Sequence, residues 1–197
     1  NLPGAIPFNT ALEMGKKSKV KRHQWRKDDT AFLQYTGGTT GLSKGAELTH
    51  NNVMSNIAQM MPFISVTRKG PLGPGEVAII PLPMYHIFAL TASFVFATNG
   101  MKSLLVTNPR DFDGFIKILK KKPFHSFIGV NTLFNALLNH PKFNEINFSE
   151  IKCCTAGGMA LQEIVFKRWL EKTGVTISEG YGLSETSPVL TYQIAGK

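Results

Sequence analysis

The stretch that decides the fold is HSFIGVNTLFNALLNHPKFNEINFSEIKCCTAGGMALQEIVFKRWLEKTGVTISEG, residues 125–180. It holds three short apolar runs, HSFIGV (125–130), IKCCTA (151–156) and VTISEG (175–180). Between them lie TLFNALLNH (132–140) and LQEIVFKRWLEKT (161–173), in which apolar residues recur at helical spacing. A continuous apolar run bounded by turn signals is what a strand buried on both faces looks like, and strands alternating with helices predict a parallel sheet. The pattern extends upstream. VAIIPLP (77–83) reads as a strand stopped by prolines, residues 87–98 as an apolar helix opened by His86, SLLVT (103–107) as a strand, and FDGFIKILKKK (112–122) as an amphipathic helix. The expected class is α/β, with parallel-sheet layers covered by helices. Right-handed crossovers would gather the strand ends on one rim, where such sheets bind ligands.

Further towards the N-terminus, TAFLQYT (30–36) reads as a buried strand running into a Gly-rich loop. Thr49 then caps a helix carrying Val53, Ile57 and Met60/Met61. Residues 1–28 are expected to be an extended lead-in or linker, and residues 29–197 the folded unit. The chain carries 22 Lys plus Arg against 13 Asp plus Glu, a net +9, with 43% hydrophobic residues. That composition fills a core and excludes a largely disordered chain. Much of the charge sits in KKSKVKRHQWRK (16–27), which reads as a solvated linker. Nucleic acid is therefore not an expected partner, while peripheral association with the inner face of a membrane is kept open. The apolar segment 87–98 is too short to span a bilayer. Cys153 and Cys154 are adjacent and badly placed for a bridge, which favours a reducing, cytoplasmic setting. Lying in a buried strand, they read as core rather than as nucleophiles. His23, His50, His125 and His140 show no metal-ligand spacing, so no zinc site is expected.

Three segments carry chemistry. In YTGGTTGLSKG (35–45), Gly37, Gly38, Gly41 and Gly45 let backbone N–H groups approach an anion. Thr36, Thr39 and Thr40 add hydroxyls, and Lys44 adds a mobile cation suited to a phosphate. It is not the common P-loop, because Lys44 follows Ser43 and precedes Gly45 rather than a metal-binding Ser or Thr. In EGYGLSETSP (179–188), two glycines, the Tyr181 ring, the Ser184 hydroxyl and the acid of Glu185 stand together. An acid among phosphate-binding groups is costly unless a cation stands between them, so Glu185 suggests Mg²⁺. In PLPMYHIFAL (81–90), His86 is either a helix cap or a group facing a ligand. Phe88, Leu90, Phe94, Val95 and Phe96 suit an acyl tunnel and plain core packing equally well.

The 35–45 loop resembles the phosphate-binding loop of the adenylate-forming enzymes, the acyl-CoA synthetases, luciferases and peptide-synthetase adenylation domains. LTHNN (48–52) is similar to the continuation of that loop, PLPMYHIFAL to a segment near the acyl site, TAGGMAL (155–161) to the turn beside adenine, and EGYGLSETSP to a further signature. The segments stand in the family's order, and their wording is most similar to bacterial long-chain fatty-acid–CoA ligases. The resemblance implies a central fragment of the large N-terminal AMP-binding domain, with ATP, Mg²⁺ and coenzyme A as cofactors and co-substrates and a fatty acid as substrate. It implies that Tyr181 stacks on adenine, that Gly157 and Gly158 line the adenine site with Glu179 and Gly180 at its edge, that Gly182 belongs to the cofactor-binding set, and that Ser184 contacts the α-phosphate. Thr36 and Glu185 would hold the metal, Gly37, Gly38, Thr39, Thr40, Gly41 and Lys44 the phosphates, and His86 the acyl carboxylate. Lys44, Glu185 and His86 are thus the catalytic candidates.

Three positions depart from the family's usual pattern. Gly37 stands where Ser is common, and Ser43 where Pro is common; Ser184 replaces a usual Thr but keeps the hydroxyl. The resemblance also implies a ribose-gripping Asp motif and a lid Lys, neither of which occurs before Lys197. The fragment is accordingly expected to be inactive alone. A non-catalytic nucleotide-binding or regulatory module is the alternative.

Overall fold

The structure is a computed structural model and describes residues 3–36 and 43–194. Its centre is a six-stranded sheet in the order β4-β3-β5-β6-β7-β8. The strands are β3 (Val77–Ile80), β4 (Lys102–Leu105), β5 (Ser126–Gly129), β6 (Cys153–Ala156), β7 (Ile177–Gly182) and β8 (Val189–Tyr192). All neighbours are parallel except β7 and β8, which run antiparallel. The β-α alternation therefore gives the sheet its sequence reading predicted, and β8 adds an antiparallel edge.

Helices cover both faces. On one lie α4 (Phe112–Lys121), α5 (Asn131–Leu138) and α6 (Glu163–Thr173), packed over Ile79, Phe127, Cys154 and Ile177. Trp169 is fully buried there, its ring 4.9 Å from Phe134 and 5.8 Å from Phe127. On the other face lie α2 (His50–Thr67) and α3 (Ile87–Thr98), packed over Ala78, Ile80 and Ile128. Strand residues alternate between the two cores as the pleat requires. The connection β3-α3-β4 turns one way from β3, and the units from β5 to β7 turn the other. The strand order consequently reverses between β3 and β5, the switch point at which open α/β sheets form a crevice.

Three expectations need correction. β1 (Thr30–Thr36) is not a buried strand of the parallel sheet; it forms a separate antiparallel hairpin with β2 (Lys44–Thr49) and is half-exposed. The loop after β1 thus returns into a strand before the helix, and β2 is short and mostly exposed, leaving little apolar pattern to read. Residues 1–28 are not wholly extended, because α1 (Phe8–Lys16) is a helix. It buries none of its residues, so no tertiary contact supplied a signal beyond its own weak periodicity. The strand expected over 175–180 runs on to Gly182, so β7 takes in the first four residues of EGYGLSETSP. Elsewhere the boundaries shift by up to three residues, β3 ending at Ile80, and Thr49 caps α2 as read, with Asn52 completing a capping box. Among the described residues no helix is long and apolar enough to cross a membrane.

Candidate active site

The C-terminal ends of the parallel strands meet in a cleft of about 380 Å³. β6 delivers Gly157 and Gly158 to it, β7 delivers Gly180, Tyr181 and Gly182, and the following turn Ser184–Thr186 brings Ser184 and Glu185. Thr36 enters from the end of β1, and His86 from the N-terminus of α3. Nine of the residues predicted for the site, from four separate sequence segments, therefore line one cleft.

Local chemistry explains these placements. At Gly182 a Cβ would lie 1.7 Å from the Pro188 carbonyl oxygen, so only glycine lets the turn close this tightly. The Leu183 N–H donates to that same oxygen at 3.0 Å, and the Thr186 hydroxyl accepts from Leu183 N–H at 3.0 Å. Ser184 and Glu185 are thereby presented on a turn whose backbone is internally bonded. Gly157 has Gly180 O and the Phe88 ring each 3.2 Å from a would-be Cβ, and Gly158 sits at φ +76°. Tyr181 lines the cleft and is 60% exposed.

His86 is exposed at the N-terminus of α3. Its Nδ1 accepts from the Phe88 N–H at 3.2 Å, capping α3, and its ring also lines the cleft. Glu179 behaves differently from its neighbours. Its carboxylate accepts from Leu161 N–H at 3.1 Å, fixing the turn after β6, and it does not line the cleft. Lys44 pairs with Thr36 across the hairpin, and the Thr36 hydroxyl donates to Lys44 O at 3.3 Å. Lys44 is exposed beside the cleft rather than in its described wall. Gly37, Gly38, Thr39, Thr40 and Gly41 lie outside the described residues.

For Mg²⁺, Thr36 and Glu185 offer hard oxygen donors in the same cleft, while no group of three His, Cys, Asp or Glu occurs among the described residues. That sparse oxygen set fits a cation that keeps most of its waters and takes substrate phosphates as ligands.

Behind the cleft lies an apolar cavity of about 60 Å³, and the two share Met60, Phe88, Thr155, Pro188, Val189 and Tyr192 as walls. Of the five tunnel candidates, Phe88, Val95 and Phe96 line this cavity. Leu90 and Phe94 do not; both pack on the α2/α3 core, with the Phe94 ring 5.9 Å from Phe32. Two positioning residues carried no sequence signal. Buried Asn56 on α2 donates through Nδ2 to Val189 O at 2.8 Å and accepts at Oδ1 from Val189 N–H at 3.1 Å. Gln34 on β1 donates to Tyr85 O at 2.7 Å, tying the hairpin to the segment that carries His86. A lone amide in a helix or strand reads as surface polarity, so only its tertiary partner reveals it.

Comparison with known proteins decides the family. The model of the AMP-binding enzyme family matches residues 4–197. The chain belongs to the AMP-binding enzymes. Among relatives, a long-chain-fatty-acid–CoA ligase of Haemophilus influenzae is 48% identical over 194 residues, covering 96% of this chain and 34% of that protein. The chain thus spans about a third of the length of the curated relatives it matches. Among solved structures of the same fold, the N-terminal domain of FACL13 from Mycobacterium tuberculosis aligns with a TM-score of 0.82 at 23% identity, covering 95% of this chain and 46% of that one. ATP-bound MatB from Rhodopseudomonas palustris aligns with a TM-score of 0.76 at 26% identity, over 95% and 36%. As an AMP-binding enzyme, the chain has the α/β architecture that the β-α alternation predicted.

Proposed function

We propose that these residues form part of a long-chain-fatty-acid–CoA ligase, which activates a fatty acid to an acyl-adenylate and then to acyl-CoA. The observation that carries this reading is the shared wall between the polar cleft and the apolar cavity. An acyl-adenylate is one molecule with a nucleotide at one end and a hydrocarbon at the other, and it needs two such compartments in contact. The 48% identity to a ligase of that name supports the acyl class.

In the first step a carboxylate oxygen attacks the α-phosphorus of ATP, a P–O bond breaks and pyrophosphate leaves. In the second the coenzyme A sulfur attacks the acyl carbonyl carbon and AMP leaves. Both depend on positioning and charge stabilisation rather than on a protein nucleophile. Tyr181 would stack on adenine, with Gly157, Gly158 and Gly180 leaving room for the ring and Gly182 closing the turn beside it. Glu179 would act through the turn it holds. Ser184 would donate to the α-phosphate, and Lys44 with Gly37, Gly38, Thr39, Thr40 and Gly41 would bind the departing pyrophosphate. His86, oriented through its Nδ1, would meet the fatty-acid carboxylate. Mg²⁺ held by Thr36 and Glu185 would supply positive charge against the phosphates.

We assign residues 29–197 to the AMP-binding domain and 1–28 to a lead-in, consistent with an α1 that buries nothing. A cytoplasmic setting accords with two free, buried cysteines. The test is carboxylate-dependent ATP–pyrophosphate exchange by the full-length protein. Lys44→Ala and Glu185→Gln are each expected to lower it by about 100-fold or more. Exchange unaffected by both substitutions would overturn the site, and activity with no carboxylic acid would return the chain to a nucleotide-binding module.

A further inference from the structure

The peptide between Tyr85 and His86 is held at both of its polar groups. Its N–H donates to Pro83 O at 3.0 Å, within the turn that precedes α3. Its carbonyl oxygen, that of Tyr85, accepts from Gln34 Nε2 at 2.7 Å, across 51 positions of sequence. The His86 carbonyl then accepts from Leu90 N–H at 3.1 Å, and the ring Nδ1 from Phe88 N–H at 3.2 Å. Backbone and ring of His86 are thereby fixed together. Among these bonds, only the one from Gln34 reaches in from another element. A ring that accepts at Nδ1 carries its proton on Nε2 when neutral, which leaves a donor suited to an anionic oxygen.

The place of Gln34 on its strand gives that bond a meaning. On β1, half-buried Phe32, Gln34 and Thr36 alternate with exposed Leu33 and Tyr35. They pair with Leu48, Ala46 and Lys44 of β2, so they share the inner face of the hairpin. Phe32 docks that face on α3, its ring 5.9 Å from Phe94, and Leu48 is buried in the same core. The hairpin therefore has an apolar seat that does not depend on Gln34. Thr36, two residues beyond Gln34 on the same face, lines the cleft, and so does His86. One strand presents Thr36 directly and holds the peptide that carries His86 through Gln34, which does not itself line the cleft.

Resting on the fatty-acid ligase reading, we propose that Gln34 is a positioning residue of the first half-reaction. Acting through the Tyr85–His86 peptide, it sets the group that meets the carboxylate in register with the strand that meets the phosphates. In-line attack needs the carboxylate oxygen close to phosphorus, and a misplacement of about 1 Å at such a centre can cost about 100-fold in rate. A single hydrogen bond that ties the two sides of the cleft together guards against that slippage.

The test is carboxylate-dependent ATP–pyrophosphate exchange by the full-length protein, with fatty acid and ATP varied separately. Gln34→Leu removes the donor, and Gln34→Glu sets an oxygen against the Tyr85 carbonyl; two variants of different polarity keep one poorly folding protein from deciding the matter. Each is expected to lower kcat/KM for the fatty acid by about five- to tenfold, while KM for ATP changes by less than about twofold. In His86→Ala protein, Gln34→Leu should add less than about twofold, because a residue that acts through His86 then has nothing to position. Constants for acid and ATP that move together would make Gln34 a prop of the hairpin alone, and full additivity with His86→Ala would route its effect elsewhere. Either result, or no change in kcat/KM, overturns the proposal and leaves the ligase reading standing. Exchange that does not depend on a carboxylic acid overturns both.

Discussion

Gly182 shows how much one missing side chain decides in this site. A Cβ there would occupy the space of the Pro188 carbonyl, whereas at Gly180 the nearest atoms stand at 3.7 Å and 3.9 Å, ordinary contact distances. Gly158 has space but a left-handed φ. Alanine at the three positions should therefore rank in a definite order. Gly182→Ala is expected to cost about 3 kcal/mol or more and to displace Ser184 and Glu185, Gly158→Ala about 1–2 kcal/mol, and Gly180→Ala the least. Urea unfolding of the three variants checks the order, and equal losses at Gly180 and Gly182 would contradict the steric account. The motif reading placed all three glycines at the site. It had no means of ranking them, because the atom that would clash belongs to a residue six positions further along a turn whose path the sequence does not reveal.

At the scale of elements, α2 holds the site from behind. Its cap at Thr49 and its apolar positions Val53, Ile57 and Met60 were readable from spacing alone, while the Asn52 half of the capping box was not read. Asn56 was not, since an amide one position from the apolar stripe reads as polar surface. In the fold it is buried and bonds both backbone groups of Val189, so it secures β8, whose Val189 and Tyr192 form the wall between cleft and cavity. Asn56→Ala leaves a buried N–H and C=O unpaired and is expected to destabilise the protein by about 2–3 kcal/mol. On the proposed ligase reading it should also raise KM for the fatty acid more than it lowers kcat, which steady-state exchange kinetics would separate. The hairpin β1-β2 was half-legible for a related reason. β1 has a strong apolar pattern, but β2 is largely exposed, and only its pairing with β1 makes it a strand.

Across the whole molecule, a buried ion-pair group joins segments far apart in sequence. Arg68, at the end of α2, is 1% exposed at its side chain and donates to both Glu76 oxygens, at 2.6 Å and 2.7 Å, while Lys152, just before β6, donates to one of them at 2.7 Å. Burial raises the Glu76 pKa, but the bonds from Lys152 and Arg68 outweigh it and leave the carboxyl below its ordinary 4.5. A carboxyl depressed in the folded state stabilises the fold above the unfolded value, and that stability is lost as pH falls through the folded value. Stability should therefore decline below about pH 4.5 in part through this group. Glu76→Gln should cost about 3 kcal/mol at neutral pH and flatten the acid limb of the stability curve, read by urea titration at several pH values.

The sequence by itself determined the α/β class, the direction of the central strands, the family resemblance and most of the residues that line the cleft. These follow from short-range causes: apolar runs that strands buried on both faces require, helical spacing, and glycine–hydroxyl turns that phosphate chemistry requires. Tertiary structure decided what depends on partners distant along the chain. It set β1 apart from the main sheet, turned Glu179 from the cleft towards Leu161, gave His86 a cap and a cleft position together, and placed Phe88 in the wall of the apolar cavity but Phe94 in the core.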